Sequence, residues 1–482
     1  MDLAGLGGYA ALLPLRAEVW PPLRADPSPT VHAFNPAAIR AFDIRGQVGR
    51  DLSTADARRL GQAYAAQARR RGLRRIGVGR DGRLTSPEME GALVDALVEG
   101  GVEVVRIGLG PTPQLAFAVR TLGLDGGIMV TASHNPPADN GFKLLLGRER
   151  LHGQALRELV DTPPEPTAGG DRQDVSVLDD YVDALAQSGA DIRPFRIVWD
   201  CGNGATGEVV EKLTRRLPGE HILLHTAIDG RFPNHHPDPA VAANLRELQA
   251  AVVANAADLG IAFDGDGDRI GAVDGSGAVV WADQLLLLLA LDLLLDRPGA
   301  TVVADVKSSR VFFDGVAAAG GHPVMAPSGY VVVREAMARA QALLGGELSG
   351  HVFYNDGWDG TDDALYVATR LLKALSRSNR TLAQFRAGLP VLVTTPEMRI
   401  PCPEEQKARV VEEVGRRLEQ ASQVSIDRAD GLRVTTPDGW WLLRASGTES
   451  KLTCRCEAAD ENGLERLMAQ LRRELRQSGI SL

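Results

Sequence analysis

The sequence predicts an α/β protein with three similar α/β domains, whose sheets are mixed and mostly parallel, and a smaller C-terminal α+β domain. Short β-branched runs that end in polar turns recur at 76–81, 197–200 and 302–305, and each precedes a helix-like stretch. Strands that alternate with helices indicate βαβ units and parallel pairing. The end of the chain instead predicts a helix, a hairpin that turns at 437–439, a further strand and a final helix.

A chain of 482 residues is too long for one hydrophobic core. Prolines interrupt any regular pattern near the N-terminus, and a proline-rich stretch at 162–166 is typical of a linker. We expect an extension over 1–37, three α/β domains over 38–177, 178–276 and 277–390, and a C-terminal domain over 391–482.

The composition is that of an ordinary globular protein, with 44% hydrophobic and 24% charged residues. A net charge of −9 argues against nucleic-acid or anionic-membrane binding, which needs an extended basic face. The four cysteines form no CxxC pair and predict reduced thiols. The N-terminus lacks the basic start of a secretory signal, and the apolar run 285–295 is too short to span a bilayer and predicts a buried helix. A cytoplasmic location is expected.

The first polar loop of interest is 131–136, which follows the apolar run 127–130 and contains Ser133. Open α/β sheets place their sites at the carboxyl ends of strands. The alternative is a turn whose serine caps a helix, which is the commoner outcome for an isolated serine. Because His134 is adjacent in sequence, it cannot form a triad with Ser133, so activation needs a metal or a distant base.

The second loop carries Asp264, Asp266 and Asp268 directly after the apolar run 259–263. At roughly 5 Å and an effective dielectric constant of about 20, each pair of carboxylates repels by about 3 kcal/mol. A divalent cation that prefers oxygen ligands removes that repulsion. An EF-hand is excluded, because Arg269 stands where that motif needs glycine. A solvated acidic turn is the alternative.

Two further loops give weaker signals. Glycines flank the polar residues of 346–351, which allows a ligand to approach the backbone closely, and Glu347 could accept hydrogen bonds from neighbouring sugar hydroxyls. An ordinary turn is an equally good interpretation. The segment 444–450 combines Arg444 with hydroxyls and a glycine and predicts a phosphate cradle, with a plain hairpin loop as the alternative.

Together and in this order, the four loops resemble the α-D-phosphohexomutase family, in particular its phosphomannomutase/phosphoglucomutase branch. The resemblance runs from about Pro36 to the C-terminus. The Ser133 loop and the acidic loop 264–269 are its most specific part. Further matching segments are 41–46, 79–83, 140–143 and 232–237.

The resemblance implies four domains around a central cleft, each of which contributes one loop. It implies reversible phosphoryl transfer between O1 and O6 of glucose and mannose phosphates through a phosphoserine at Ser133. A hexose 1,6-bisphosphate would be the intermediate and the activator, and Mg²⁺ the metal. The implied partners are hexose phosphates, with no nucleic acid and no membrane, and the protein would be a monomer or a weak homodimer.

The resemblance also implies roles for individual residues. The catalytic set would be Ser133, Lys143, Arg45 and His351, with Lys143 or His351 as the acid/base group. The metal ligands would be Ser133, Asp264, Asp266 and Asp268. The substrate-binding residues would be Arg269, Lys307, Tyr330, Glu347, Ser349, Arg444, Ser446, Gly447 and Thr448.

Some positions depart from the family pattern. Phe42 replaces a frequent tyrosine, and Tyr330 stands where a histidine is usual, which puts a histidine contact to the ligand in doubt. Ser450 replaces a frequent proline. Leu348 stands where the phosphoglucosamine mutase branch has glutamine, so amino sugars are the less expected substrates.

Two other functions fit parts of the pattern. A phosphatase could use Ser133 and the acidic loop on similar sugars, and it would release phosphate without forming a 6-phosphate. A catalytically silent sugar-phosphate-binding protein is the second alternative. The clustered carboxylates argue against it, because a binding protein has no use for them.

Overall fold

Three mixed sheets repeat one strand order along the chain, and an antiparallel sheet follows them. The computed structural model describes residues 32–165, 167–419, 421, 423–446 and 450–481. The first sheet and its helices are β1 (Ile44–Gln47), α1 (Thr54–Arg70), β2 (Arg75–Arg80), α2 (Ser86–Glu99), β3 (Glu103–Leu109), α3 (Thr112–Thr121), β4 (Gly126–Val130), β5 (Asp139–Leu146), β6 (Glu149–Arg150), α4 (Gly153–Asp161) and β7 (Arg172–Asp174).

The second and third units follow the same alternation of strands and helices. The second has α5 (Leu178–Ser188), β8 (Phe195–Asp200), α6 (Gly207–Thr214), β9 (Gly219–Leu224), α7 (Arg246–Ala254), β10 (Leu259–Phe263), β11 (Ile270–Asp274) and β12 (Val279–Val280). The third has α8 (Ala282–Asp296), β13 (Thr301–Asp305), α9 (Arg310–Ala318), β14 (His322–Ala326), α10 (Tyr330–Ala340), β15 (Leu344–Gly346), β16 (Val352–Tyr354), α11 (Ala364–Ser378) and α12 (Leu382–Ala387).

The fourth unit differs from the other three, as the sequence predicts. Its elements are β17 (Val393–Thr394), β18 (Met398–Pro401), α13 (Glu404–Leu418), β19 (Ser425–Asp427), β20 (Leu432–Thr436), β21 (Gly439–Ala445), β22 (Lys451–Ala458) and α14 (Glu461–Gln477). The sheet is antiparallel throughout, in the order β17-β22-β21-β20-β19 with β18 on β22. The hairpin between β20 and β21 turns where it was predicted.

The predicted relation among the first three units is confirmed by their topology. Their sheets contain the orders β3-β2-β4-β5, β9-β8-β10-β11 and β14-β13-β15-β16. In each, the first three strands are parallel and the fourth is antiparallel to its neighbour. β4 and β10 are buried at every residue, as expected for strands covered on both faces. The loops that follow these buried strands therefore lie at the same edge of their respective sheets, at the carboxyl ends of the parallel strands.

One hydrophobic cluster runs through the first three units, whereas the fourth has its own. The shared cluster includes Phe117, Trp199 and Leu289, and Leu289 lies in the predicted buried helix, which forms α8. Between the third and fourth units, Trp440 packs on Val306, and Arg433 donates to the carbonyls of Val306 and Ser308 at 2.6 and 2.8 Å. The fourth unit therefore has a core of its own and a mixed apolar and polar contact with the third.

All four cysteines are buried and free, in agreement with the expected reduced thiols. Among the described residues, no helix has both the length and the apolar character that a bilayer crossing requires.

Candidate active site

Ser133 lies just beyond β4 and is buried, with its backbone in the left-handed region at φ 50°. A non-glycine residue adopts that conformation at a cost of roughly 1–2 kcal/mol. The Ser133 hydroxyl donates to Oδ2 of Asp264 at 2.6 Å. Its backbone N–H donates to the hydroxyl of Thr131 at 2.9 Å. The turn therefore directs the serine toward the second sheet.

Arg83 stabilises this turn through hydrogen bonds to its backbone. The guanidinium is buried, and its Nε donates to Asp81 at 3.2 Å. It also donates to four backbone carbonyls of the loop, those of Ser133 at 2.7 Å, Asn135 at 2.7 Å, Pro136 at 2.6 Å and Asp139 at 2.9 Å. Residues 79–83 belong to the family resemblance, but nothing in the sequence indicated a role for Arg83. No spacing rule links this arginine to a serine 50 positions later.

The acidic loop follows β10 and places three buried carboxylates beside Ser133. Oδ1 of Asp264 accepts the backbone N–H groups of the turn at 3.0–3.2 Å, from Gly267, Asp268 and Arg269. Gly265 lies so close to the serine loop that a Cβ there would be 2.3 Å from the carbonyl oxygen of Ser133. Residue 265 must therefore be glycine for the two loops to meet.

Lys143 and Thr112 complete the surroundings of the acidic loop. The Lys143 ammonium donates to Asp266 at 2.6 Å and also to Asp268. The Thr112 hydroxyl donates to the same oxygen of Asp266. Thr112 begins helix α3, and the sequence gave no reason to single it out.

The carboxylates of the acidic loop differ in the direction in which their surroundings shift their pKa values. Burial, and then the charges of Asp268 and Asp266, raises the pKa of Asp264 well above its usual range. Burial opposes ionisation of Asp268 too, but Lys143 outweighs it and lowers the pKa of Asp268 to about 2. Burial likewise disfavours the charged form of Lys143, yet Asp266 and Asp268 raise the pKa of Lys143 above its usual value. Within the described residues, the three carboxylates thus have one directly bonded ammonium, that of Lys143, and Arg269 lies 4.0 Å from Asp264.

These residues fit a divalent metal that prefers oxygen ligands. Oxygens of Asp264, Asp266 and Asp268 lie within 4.8 Å of one another. Oδ1 of Asp266 and Oδ1 of Asp268 are buried and have no hydrogen-bond partner within the described residues. Unpartnered carboxylate oxygens that face a shared space are the donor set that Mg²⁺ takes.

Arg269 connects the acidic loop to His351. Its Nε donates to Nε2 of His351 at 3.0 Å, and the same Nε lies 4.0 Å from Asp264. To accept that bond the imidazole must be neutral, with its proton on Nδ1. Nδ1 faces the buried carboxylate of Asp362 at 3.2 Å. Asp362 therefore lies on the Nδ1 side of His351, at ion-pair distance but without a hydrogen bond of good geometry, and the sequence gave no reason to single it out.

Arg45 approaches the serine loop from β1. Its Nε donates to Asp43 at 2.7 Å, and its Nη1 donates to the carbonyl of Ala132 at 3.2 Å and to Oδ1 of Asn135 at 3.1 Å. The guanidinium therefore lies against the same loop as Ser133. Burial disfavours its charge, but Asp43 and Asp266 raise the pKa of Arg45, so it stays cationic.

The third loop lies beside the acidic loop. The N–H of Ile270 donates to the carbonyl of Gly350 at 3.1 Å. Glu347 is buried, accepts the backbone N–H of Gly329, and lies 3.3 Å from the hydroxyl of Ser349. Lys307 lies in the turn that follows β13, 3.8 Å from Asp305 and 3.7 Å from Glu397 of the fourth unit.

Tyr330 connects the first and third units. Its hydroxyl donates to the carbonyl of Phe42 at 3.0 Å, and its ring stacks on His351 with centroids 5.4 Å apart. Two of the positions that depart from the family pattern, Phe42 and Tyr330, thus contact each other. The hydroxyl is engaged in this interdomain bond, and the ring orients His351.

Replacing Tyr330 by phenylalanine should remove that bond and lower the free energy of unfolding by about 1 kcal/mol. Urea titration followed by tryptophan fluorescence measures the change. Tyr354→Phe is the matched control, because the Tyr354 hydroxyl is buried without a hydrogen-bond partner within the described residues. Equal stability losses in both variants would show that the contact with Phe42 contributes nothing.

The C-terminal loop begins later than the sequence suggested. We expected the loop to start at Arg444, but β21 continues to Ala445, so Arg444 lies on the strand. Its Nε lies 2.8 Å from Asp430, which also accepts the N–H of Ser328 at 3.1 Å. Ser446 follows, and its carbonyl accepts from Lys407 at 2.6 Å. Gly447 and Thr448 lie outside the described residues.

Comparison with known proteins gives matches along nearly the whole described chain. Models described as phosphoglucomutase/phosphomannomutase alpha/beta/alpha domains I, II and III match residues 37–158, 179–277 and 281–391. The model of the C-terminal domain of the same family matches 397–474.

Individual relatives are similar over most of their length. A phosphomannomutase/phosphoglucomutase of Pseudomonas aeruginosa is 40% identical over 451 residues, which cover 93% of this chain and 97% of that protein. A phosphoglucomutase of Neisseria gonorrhoeae is 39% identical over 435 residues, which cover 89% and 94%. A solved phosphoglucomutase/phosphomannomutase family protein from Burkholderia thailandensis superposes with a TM-score of 0.87 at 37% identity, covering 93% of this chain and 100% of that one.

Proposed function

Because this chain belongs to the phosphoglucomutase/phosphomannomutase family, we propose that it transfers a phosphoryl group between O1 and O6 of glucose and mannose phosphates through a phosphoserine at Ser133. The observation that carries this proposal is the 2.6 Å hydrogen bond from Ser133 to Asp264. It joins a strained, buried serine to a loop of three carboxylates. A hexose 1,6-bisphosphate is the proposed intermediate and, when added in trace amounts, the activator.

The reaction has two half-steps that mirror each other. In the first, a hydroxyl of the hexose monophosphate attacks the phosphorus carried by Ser133. The new P–O bond to the sugar forms, the bond to the serine oxygen breaks, and the hydroxyl proton passes to a base. The bisphosphate then reorients in the cleft. Its other phosphoryl group is transferred to Ser133, and the base returns the proton to the sugar oxygen that is released.

His351 and Lys143 are the two candidates for the base. The lone pair on Nε2 of His351 accepts the N–H of Arg269 in this arrangement, so His351 takes a proton only after that hydrogen bond breaks. Asp362 lies 3.2 Å from Nδ1, on the opposite side of the ring. Lys143, by contrast, is held as a cation by the acidic loop. Its role is to stabilise negative charge on the transferring group.

Asp264, Asp266 and Asp268 would hold Mg²⁺ together with the Ser133 oxygen. When bound, the metal supplies positive charge against the oxygens of the phosphoryl group. Lys143 and Thr112 hold Asp266 in place through hydrogen bonds to one of its oxygens.

The remaining site residues would bind the sugar and its phosphates. Glu347 and Ser349 offer acceptors and a hydroxyl for the sugar's hydroxyl groups. Their position beside Ile270 supports this, because it brings the third loop against the metal loop. The phosphate next to Ser133 would be bound by Arg45, Arg269 and Lys307, and the phosphate at the far end by Arg444, Ser446, Gly447 and Thr448.

A coupled assay tests the proposed function. Glucose 1-phosphate and mannose 1-phosphate, supplied with Mg²⁺ and a trace of hexose 1,6-bisphosphate, should each yield the corresponding 6-phosphate. Release of inorganic phosphate without any 6-phosphate would support a phosphatase instead. Binding of both sugars without turnover would support a silent binding protein.

Arg444→Ala should lower kcat/KM for the monophosphate about ten- to a hundredfold, mostly through KM. The variant loses a charge-assisted contact worth roughly 1.5–3 kcal/mol at the end of the substrate that is not reacting. Phosphorylation of Ser133 by the bisphosphate should persist. Initial rates and intact mass measure the two effects.

Arg428→Ala is the matched control, because Arg428 lies on the same domain, is exposed and pairs with Glu419. It should behave like the wild type. If Arg444→Ala retains the wild-type KM, the far phosphate is bound elsewhere and the proposed role of this segment is wrong.

A further inference from the structure

A cavity of 460 Å³ lies between the first and third units, and its lining includes no residue of the loops 131–136, 264–269 and 346–351. Its walls come from α3, β4 and β5 on one side, and from α10 and residues 359–361 on the other. Thr112 and Lys143 form part of the wall and also hydrogen-bond to Asp266. The cavity and the metal loop therefore share two side chains.

Tyr330 lines this cavity and also stacks on His351 of the candidate active site. Its hydroxyl bonds to the carbonyl of Phe42 in the first unit. A second, more open depression of 420 Å³ adjoins the cavity, and Arg148 and Arg334 line both. A ligand that enters from this depression would pass these two arginines.

The cavity is lined by five basic side chains, of which three have partners. Lys143 pairs with the acidic loop, Arg150 with Asp362 at 2.6 Å, and Arg120 with Asp359 at 4.0 Å. Arg148 and Arg334 have neither a hydrogen bond nor an ion pair within the described part of the chain. Neither cation is in direct ionic contact, while Asp359 in the cavity and Glu149 and Glu335 in the adjoining depression lie nearby.

Arg334 is the more constrained of the two. It lies partly buried on α10, and burial, followed by the charge of Arg150, lowers the pKa of Arg334 to about 10. It is therefore still protonated at neutral pH. A partly buried cation without a partner is unfavourable unless an anion binds to it.

The two unpaired guanidinium groups match a phosphate monoester in charge and in shape. Such a group carries about −1.5 to −2 at pH 7, and guanidinium groups bind phosphate oxygens in pairs of parallel hydrogen bonds. The interior beyond them is largely apolar, with Leu115, Val119 and Met129 in the wall. A volume of 460 Å³ lies in the range of roughly 300–1,000 Å³ that small-molecule sites occupy.

We propose that this interdomain cavity is a second ligand site, distinct from the catalytic cleft, for a small phosphate monoester with an apolar or ring-shaped body. The phosphate binds between Arg148 and Arg334, and the body lies against α3 and the Tyr330 ring. Since Thr112 and Lys143 contact both the cavity and Asp266, a bound ligand affects the geometry of the metal loop. The site is therefore suited to an effector.

Phenyl phosphate is the probe, because it combines a monoester with an apolar ring and is not a hexose. Isothermal titration of the wild type at constant ionic strength should show binding in the cavity in addition to any binding in the cleft. Arg334→Met keeps an unbranched apolar stem and removes the guanidinium and its charge, so it should weaken the cavity site at least ~10-fold. Arg339→Met, on the exposed side of the same helix, should leave binding unchanged.

Arg444→Ala separates the two sites, because it affects the far-phosphate position in the cleft and not the cavity. Binding that survives Arg444→Ala and weakens with Arg334→Met supports the proposal. Loss of all binding in Arg444→Ala, or equal titrations for wild type and Arg334→Met, would overturn it. Should Arg334→Met fail to fold, Arg148→Met gives the same test, because Arg148 is exposed and contributes no described contact to the fold.

Discussion

Ser133→Ala is expected to lower kcat by at least ~10³-fold, a loss of about 4 kcal/mol of transition-state stabilisation. The alanine keeps the backbone of the turn but has no oxygen to carry the phosphoryl group, so the covalent route is lost. The bond to Asp264 at 2.6 Å also disappears. Steady-state rates with glucose 1-phosphate measure the effect.

Intact mass gives an independent measurement of the same variant. After incubation with hexose 1,6-bisphosphate, the wild type should gain one phosphate and Ser133→Ala none. Ser378→Ala is the matched control, because Ser378 is an exposed serine at the end of α11, remote from the cleft. An unphosphorylated wild type together with a fully active Ser133→Ala would end the phosphoserine mechanism.

Removing the metal should have the second largest effect. EDTA is expected to abolish turnover and added Mg²⁺ to restore it, because the ammonium of Lys143 alone does not neutralise three clustered carboxylates. Asp266→Asn keeps the shape of the side chain but removes one negative charge. It should weaken Mg²⁺ binding at least ~10- to 100-fold, since loss of even an outer partner of a metal ligand has an effect of that size.

Titration of the Mg²⁺-free protein with Mn²⁺, followed by electron paramagnetic resonance, measures the affinity without relying on activity. Asp258→Asn is the control, because Asp258 precedes the opposite end of β10 and accepts a backbone N–H from Arg196 at 2.8 Å. It should bind the metal like the wild type. Full activity in EDTA, or unaltered Mn²⁺ affinity in Asp266→Asn, contradicts the assignment of the acidic loop.

Much of the fold could be predicted from local pattern. The run 259–263 is apolar and ends in an acidic turn, and it forms β10, which is buried at every residue. The recurrence of such runs predicted the repeated units, because period and turn chemistry are local properties. The order of strands within each sheet could not be predicted in the same way, since pairing depends on contacts between distant segments.

The loops of the site could be predicted from the sequence, but the residues that hold those loops in place could not. Ser133 and Asp264 were singled out by composition and resemblance, and the structure places them in contact. Arg83 and Asp362 were missed, because an arginine or an aspartate that holds a distant loop has no distinctive spacing. The bond between Tyr330 and Phe42 joins residues 288 positions apart. The sequence marked both positions as unusual without showing that one contacts the other.

A serine at position 133 lowers the stability of the protein, because its backbone is left-handed, but it provides the hydroxyl that the proposed reaction needs. A glycine would adopt φ 50° with less strain, by roughly 1 kcal/mol, but has no hydroxyl. Arg83 compensates by fixing the carbonyls of the turn, so the protein tolerates a residue that lowers its own resistance to unfolding. Selection for heat resistance alone would therefore favour changes at this turn that abolish the reaction, and thermostable variants should be sought elsewhere in the chain.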